Sequence, residues 1–254
     1  MDVFDLQEFY ADPLGGVARR LIAHRIRARV KNAKGLTIMG LGYATPYLGG
    51  WRDEAAAVFG FMPARQGVAR WPRDAANLAC LVDEADLPLA DRSVDLVLMV
   101  HGLEFTESLT ETLRDVWRVL KPGGKVLVVV PNRRGLWARR DTTPFGHGRP
   151  FSRPQLSRIL REGMFDPGAW AYALYVPPVN RGFLRRYATW WERAGLWLWP
   201  GFAGVIIVEA TKQVYAVVDG RKERKLAARL RPSLAPVPGG VAPANRTGQF
   251  RDLE

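Results

Sequence analysis

The chain has 254 residues, 48% hydrophobic, 11% aromatic and 24% charged, which excludes a largely disordered protein and supplies apolar surface for a full core. Its net charge of +12 directs attention to nucleic acid, an anionic membrane surface or an acidic small molecule, although 30 Arg against 7 Lys is also what a GC-rich genome produces. The lone Cys80 excludes an internal disulfide framework and a cysteine zinc site, and His24, His101 and His147 have no metal-ligand spacing.

The stretch Met1–Glu8 is acidic and lacks the cationic and long apolar regions of a secretory signal. The longest charge-free stretch, Ala194–Val208, is interrupted by Pro200-Gly201 and falls short of the roughly 20 residues of a membrane span. A cytoplasmic location is expected.

In chain order, residues 3–34 read as helical: Val17, Leu21, Ile22, Ile26 and Val30 recur with arginines between them, and Asn32–Gly35 ends the pattern. Leu36–Met39 is a short apolar run that stops at Gly40-Leu41-Gly42. Similar runs lie at Ala55–Phe61 and Val94–Val100. Residues 109–120 are amphipathic, with Leu109, Leu113, Val116, Trp117 and Leu120 on one face. Lys121-Pro-Gly-Gly124 ends that helix, and Lys125–Val130 is a β-branched strand. Ser152 is an N-cap for a helix running to about Glu162. Then come an apolar segment Trp170–Val176, an aromatic and basic insertion over about 178–202, and a last strand Gly204–Val217. Short apolar strands alternating with helices imply βαβ units and a parallel sheet covered on both faces. Residues 1–218 read as one α/β domain, and 219–254, basic at first and then rich in Pro, Gly and Ala, as a disordered tail.

The strand–Gly-x-Gly–helix arrangement at 36–50 is a candidate nucleotide-cofactor loop, because glycine lets the backbone turn sharply and approach a ligand. It is followed by the acidic segment Asp83-Glu-Ala-Asp-Leu-Pro88, the strand ending at His101, and the turn Leu120-Lys-Pro-Gly-Gly124. A stretch His147-Gly-Arg-Pro-Phe-Ser152 then leads to Gly163-Met-Phe165. This order resembles the class I S-adenosylmethionine (SAM)-dependent methyltransferases, in particular the methyltransferase type 11 or UbiE-like branch, over about residues 15–217. The resemblance implies a Rossmann-like, mostly parallel seven-stranded sheet with helices on both faces and the last strand antiparallel. It also implies SAM as cofactor and methyl transfer to a small-molecule acceptor.

Carried over by position, Gly40, Leu41 and Gly42 line the methionine and ribose side of SAM. Asp83 accepts from the adenine amino group, the Glu84 backbone meets the adenine edge, and His101 faces the methionine part or the acceptor. Two positions depart from the family: Ile38 stands where an acid usually precedes the glycine loop, and Met62 where an acid usually holds both ribose hydroxyls. Tyr43, Thr45 or a nearby backbone group is then the substitute. Because a sulfonium is already an activated leaving group, the implied catalysis rests mainly on positioning. His101 and His147 are the candidate bases if the acceptor must lose a proton, with Glu104 assigned to helix packing.

Four of the nine Trp, at 190, 191, 197 and 199, fall within ten residues of the insertion. A lid over the acceptor, a peripheral membrane or partner surface, and simple packing on the sheet are all open readings. Arg133, Arg134, Arg139 and Arg140 follow the fifth strand near the expected acceptor mouth. Two alternatives stand beside a small-molecule methyltransferase. One is a catalytically degenerate binding or assembly protein, suggested by Ile38 and Met62. The other is an RNA-directed enzyme, less favoured because His101-Gly-Leu-Glu104 replaces the Asn/Asp-Pro-Pro-aromatic motif common with base amines.

Overall fold

The computed structural model describes residues 1–179, 188–198 and 200–214. Helix α1 (Val3–Ala11) starts at Asp2, whose carboxylate accepts from the Phe4 and Asp5 amides at 2.8 and 3.0 Å, while Asp5 accepts from the Asp2 amide in return. It stops at Asp12, which the following proline holds extended at ψ 153°, and Pro13 opens α2 (Pro13–Arg29). The single helix expected over 3–34 is therefore two, since proline is tolerated in a first helical turn but not in a helix interior.

The strands are β1 (Thr37–Gly42), β2 (Ala57–Pro63), β3 (Ala79–Val82), β4 (Val94–Val100), β5 (Leu120–Pro131), β6 (Phe165–Ala173) and β7 (Val205–Lys212). They form one sheet in the order β3-β2-β1-β4-β5-β7-β6. The β1–β2, β2–β3, β1–β4 and β4–β5 pairs are parallel, and β7 runs antiparallel to both β5 and β6. The seven-stranded expectation holds, including the reversed last strand. Strand β3 was not distinguishable in the sequence: it is four residues long at the sheet edge, with Cys80 and Leu81 exposed.

The helices are α3 (Thr45–Leu48), α4 (Leu109–Val119), α5 (Arg153–Glu162) and α6 (Ala188–Leu198) besides the first two. One core joins Leu14, Ile22, Ile26 and Trp51 to Ile38, Leu98, Leu127 and Ile207; the other joins Leu113, Val116, Leu156 and Leu160 to Val97, Val126, Val128 and Val208. Burial on both faces is why β4 and β5 read as unbroken apolar runs rather than alternating ones. Ser108 and Ser152 cap α4 and α5, accepting from the amides of Glu111 and Gln155.

The acidic-Leu-Pro segment is pinned to α4. Asp115 accepts from the Leu87 amide at 2.6 Å, and Arg118 donates to the carbonyls of Leu87 and Leu89 and to the carboxylates of Asp91 and Asp115. This clamp delivers the chain from β3 to β4 and holds Asp83 and Glu84 beside the strand ends. Strand order reverses between β1 and β4, so a crevice at their carboxyl ends is where an open α/β sheet binds its ligand.

Among the described residues no helix is long and apolar enough to cross a membrane, and no cluster of His, Cys, Asp and Glu has the makings of a metal site. The expected tail 219–254 and Trp199 lie outside the described residues, as do positions 180–187 of the insertion.

Candidate active site

Strand β1 delivers the glycine loop to the switch point. Gly42 has φ +80°, and a Cβ there would collide with the Val100 carbonyl and Gly102, so the tips of β1 and β4 abut directly. Leu41 is 1% exposed with its side chain in the core, and Gly40 is buried beneath α3, so only their backbones are placed to meet a ligand. Tyr43 is buried and stacks on Tyr10 with ring centroids 5.7 Å apart; burial raises its hydroxyl pKa to about 12.

His101 ends β4 in a left-handed conformation, φ 49°, which turns its ring inward, where it is 1% exposed. Its Nε2 lies 2.8 Å from the Tyr10 hydroxyl and its Nδ1 3.1 Å from Glu104 Oε1. Tyr47 donates to the Tyr10 hydroxyl at 3.0 Å, and Gln66 donates its amide to the His101 carbonyl at 2.8 Å. Tyr47 to Tyr10, Tyr10 to Nε2, and Nδ1–H to Glu104 is a proton order in which every donor finds an acceptor. Burial pushes the Tyr10 and Tyr47 hydroxyls well above the usual phenol range, which keeps both protonated as this order requires. Phe145 packs on the His101 ring at 5.0 Å, with Trp137 behind it at 5.4 Å. Glu104, assigned from sequence to helix packing, instead sits in the tight turn after β4 as the imidazole's carboxylate partner.

Beside this network a cavity of about 150 Å³ opens between the ends of β2, β3 and β4, lined by Pro63, Gln66, Glu84, His101 and Thr106. Asp83 is exposed and its carboxylate accepts from the Ala85 amide, while Glu84 accepts from the Thr106 hydroxyl at 3.4 Å. Three buried side-chain polar atoms among the described residues lack a partner, and two of them are here: Gln66 Oε1 and Glu104 Oε2. Ile38 and Met62, at the two departures from the family pattern, are fully buried core residues, and the Met62 sulfur accepts from the Ala69 amide at 3.4 Å. Arg65 and Gln66, three and four residues past Met62, line the cavity from this strand end. Thr45, the other expected substitute, is buried with its methyl against Gly60 and lines a cavity together with Tyr10 and Tyr43.

Sequence reasoning missed Tyr10 and Gln66. The signal for Tyr10 was its place with Val3 and Leu6 on one stripe of α1, all three buried, and α1 docks through the Val3 amide on the Gln66 carbonyl at 2.7 Å. His147 is not brought to His101. Its Nε2 pairs with the Asp141 carbonyl at 2.7 Å, and it lines a separate cavity with Asp5, Glu8 and Asp12.

Residues 39–128 match the family model described as a methyltransferase domain. The chain is 36% identical over 100 residues to a "probable S-adenosylmethionine-dependent methyltransferase" of Mycolicibacterium smegmatis, covering 39% of this chain and 37% of that one. It is 30% identical over 156 residues to the demethylmenaquinone methyltransferase of Deinococcus radiodurans, covering 54% and 62%. Over these stretches the chain is similar to SAM-dependent methyltransferases. Its fold is shared with a SAM-dependent methyltransferase from Thermotoga maritima, at a TM-score of 0.60 and 16% identity, covering 83% of this chain and 96% of that one. The matched stretch spans less than two thirds of either curated relative.

SAM is the cofactor of that family, and the residues at the strand ends fit it in part. Gln66, which lines the strand-end cavity, and Glu104, bonded to His101 beside it, each hold a buried acceptor without a donor, which suits a ligand bearing hydroxyl and ammonium groups. Pockets for drug-sized ligands run to about 300–1,000 Å³, and this one measures about 150 Å³. Tyr10 stands between Tyr43 and His101, where the methionine half is implied. The strand-end cavity by itself admits a fragment of the cofactor and not the whole, while Tyr10, Tyr43 and Thr45 line a separate cavity of about 490 Å³.

Proposed function

We propose that the chain is a SAM-dependent methyltransferase acting on a small-molecule acceptor, and that the conformation described above is its closed form, shut by α1. The observation that carries the reading is the pair of buried acceptors without donors at the topological switch point, in a domain whose sequence matches the methyltransferase family. Lifting α1 withdraws Tyr10 from His101 and joins the small cavity to the space the tyrosine leaves. Glu104 then fixes the imidazole with Nδ1–H paired, so that Nε2 is the free acceptor facing an incoming nucleophile. Phe145 and Trp137 wall that side against water. The relative named for demethylmenaquinone makes an apolar aromatic acceptor the first class to try. Neither the degenerate nor the RNA-directed alternative is favoured by the matches.

The test is calorimetric titration of SAM and S-adenosylhomocysteine into the full chain freed of co-purified ligand. Both ligands are expected to bind, and Gln66→Leu to weaken binding about tenfold or more, the loss of one or two hydrogen bonds. No heat and no thermal shift up to millimolar ligand would sink the reading.

A further inference from the structure

A second concave site lies on the same edge of the sheet, away from the cofactor crevice. The segments that follow β5 and β6, together with α6 and the turn before β7, enclose a groove of about 510 Å³ lined by Leu136, Tyr175, Trp190, Trp191 and Phe202. Its walls are fixed from below. The buried Glu192 carboxylate accepts from the Tyr175 amide at 2.6 Å, which ties α6 to the end of β6. Gly195 lets α6 lie directly on the Tyr175 ring, in a place that any Cβ would overlap. Trp190 stands edge-on to Trp191 at 5.3 Å.

The rim of this groove is apolar and open. Trp190 is 60% exposed, Trp197 85%, Phe202 53% and Leu136 48%. Trp190, Ala194 and Trp197 are spaced i, i+4, i+7 along α6, so the two tryptophans share one outward stripe. Soluble proteins seldom hold so much aromatic surface against water without a use for it. The charge around it is one-sided. The loop after β5 reads Asn132-Arg-Arg-Gly-Leu136-Trp-Ala-Arg-Arg140, with all four arginines exposed around the groove residue Leu136. Among the described residues none of the four is in an ion pair with a carboxylate.

We infer that this face is a docking surface for an anionic lipid bilayer, with Trp190, Trp197, Phe202 and Leu136 entering the headgroup region and Arg133, Arg134, Arg139 and Arg140 pairing with lipid phosphates. Tryptophan and arginine each suit that boundary, one by an amphipathic ring and the other by an apolar stem with a charged fork. Charge complementarity selects the occupant. A second copy of the chain docked face to face would bring four arginines against the same four. A bilayer with anionic headgroups meets both the apolar tip and the cationic ring at once. Docking would also present the acceptor side of the domain to the lipid, because Trp137 behind the groove packs on Phe145, which packs on His101. The inference does not depend on the methyl-transfer reading: vesicle binding needs neither cofactor nor acceptor.

The test is co-flotation of the full chain with vesicles of phosphatidylcholine alone or mixed with phosphatidylglycerol, with tryptophan emission followed in parallel. Binding to the mixed vesicles is expected, with a shift of emission to the blue and a loss on raising salt. Trp190→Ala with Trp197→Ala changes two exposed side chains and is expected to weaken binding at least about tenfold and remove the blue shift. Arg139→Gln with Arg140→Gln is expected to weaken it about thirtyfold. Arg158→Gln with Arg161→Gln, on α5, is the charge-matched control and should bind as the unaltered chain does. The inference is overturned by three results: no binding to anionic vesicles, equal binding by both patch variants and the control, or a lipid-free dimer that Trp197→Ala dissolves.

Discussion

If α1 shuts the cofactor site, weakening its grip should raise cofactor affinity while lowering stability. Leu6→Ala is the perturbation, since Leu6 is fully buried beneath α1 between Val3 and Tyr10, which are 1% and 7% exposed. A buried Leu→Ala costs about 2–5 kcal/mol; taking a value near the lower end, about 2.7 kcal/mol shifts a closed–open equilibrium about a hundredfold. A ligand that binds only the open form has an apparent Kd equal to the intrinsic one divided by the open fraction, so affinity for SAM should rise in proportion until the open form predominates. Phe4→Ala is the companion control: Phe4 is on the same helix but 70% exposed, and its loss should leave Kd within about twofold. Calorimetry gives Kd, and hydrogen exchange of the α1 amides reports whether the helix has loosened. Faster exchange in Leu6→Ala together with unchanged or weaker SAM binding would refute the reasoning, because α1 would then belong to the bound site rather than exclude it.

Two further outcomes test the framework around the site. Arg118→Ala should cost about 2–3 kcal/mol in urea unfolding, because it strips donors from the carbonyls of Leu87 and Leu89 and leaves the Asp115 and Asp91 carboxylates without their cation; a change below about 0.5 kcal/mol would mean that the 83–91 segment is held by other contacts. Burial holds the Glu192 carboxyl above its ordinary value of 4.5, more strongly than its bonds to the Tyr175, Val176 and Leu174 amides lower it. Its raised folded pKa stabilises the fold below the unfolded value and that contribution is lost as pH rises through the folded one. Glu192→Gln should therefore have a Tm that gains on the unaltered chain as pH rises from about 4.5 toward 8, and a gain in the opposite direction would contradict the burial argument.

What was legible in the sequence followed from strong local patterns. β4 and β5 are unbroken apolar runs because both faces of the central strands are covered, and α4 and α5 announce themselves through serine caps and an apolar stripe. The Asp83–Pro88 segment was readable as a motif, but the reason for its position was not: the Arg118 clamp joins carbonyls and carboxylates spread over thirty-odd positions, and nothing local marks them as partners. The edge strand β3 escaped notice since four residues with two exposed carry no usable period.

The site was half legible for the same physical reason. Glycine at a βα turn and a histidine at a strand end are local signals, and Gly42 does abut Val100 and Gly102, the neighbours of His101, at the β1–β4 junction. Tyr10 reaches them from the far end of the chain, across 91 positions to His101, and Gln66 across 35. Both come from segments that read as ordinary helix and turn. The two absent carboxylates, at Ile38 and Met62, look in the sequence like a defect in ribose binding. In the folded chain their positions are fully packed core, and the nearby Gln66 holds a buried carbonyl oxygen that faces no protein donor. A buried acceptor left unpaired costs free energy that a fold has no reason to keep unless a donor arrives at some stage. That unpaired oxygen, more than the missing acids, is the argument that the crevice is built to be filled.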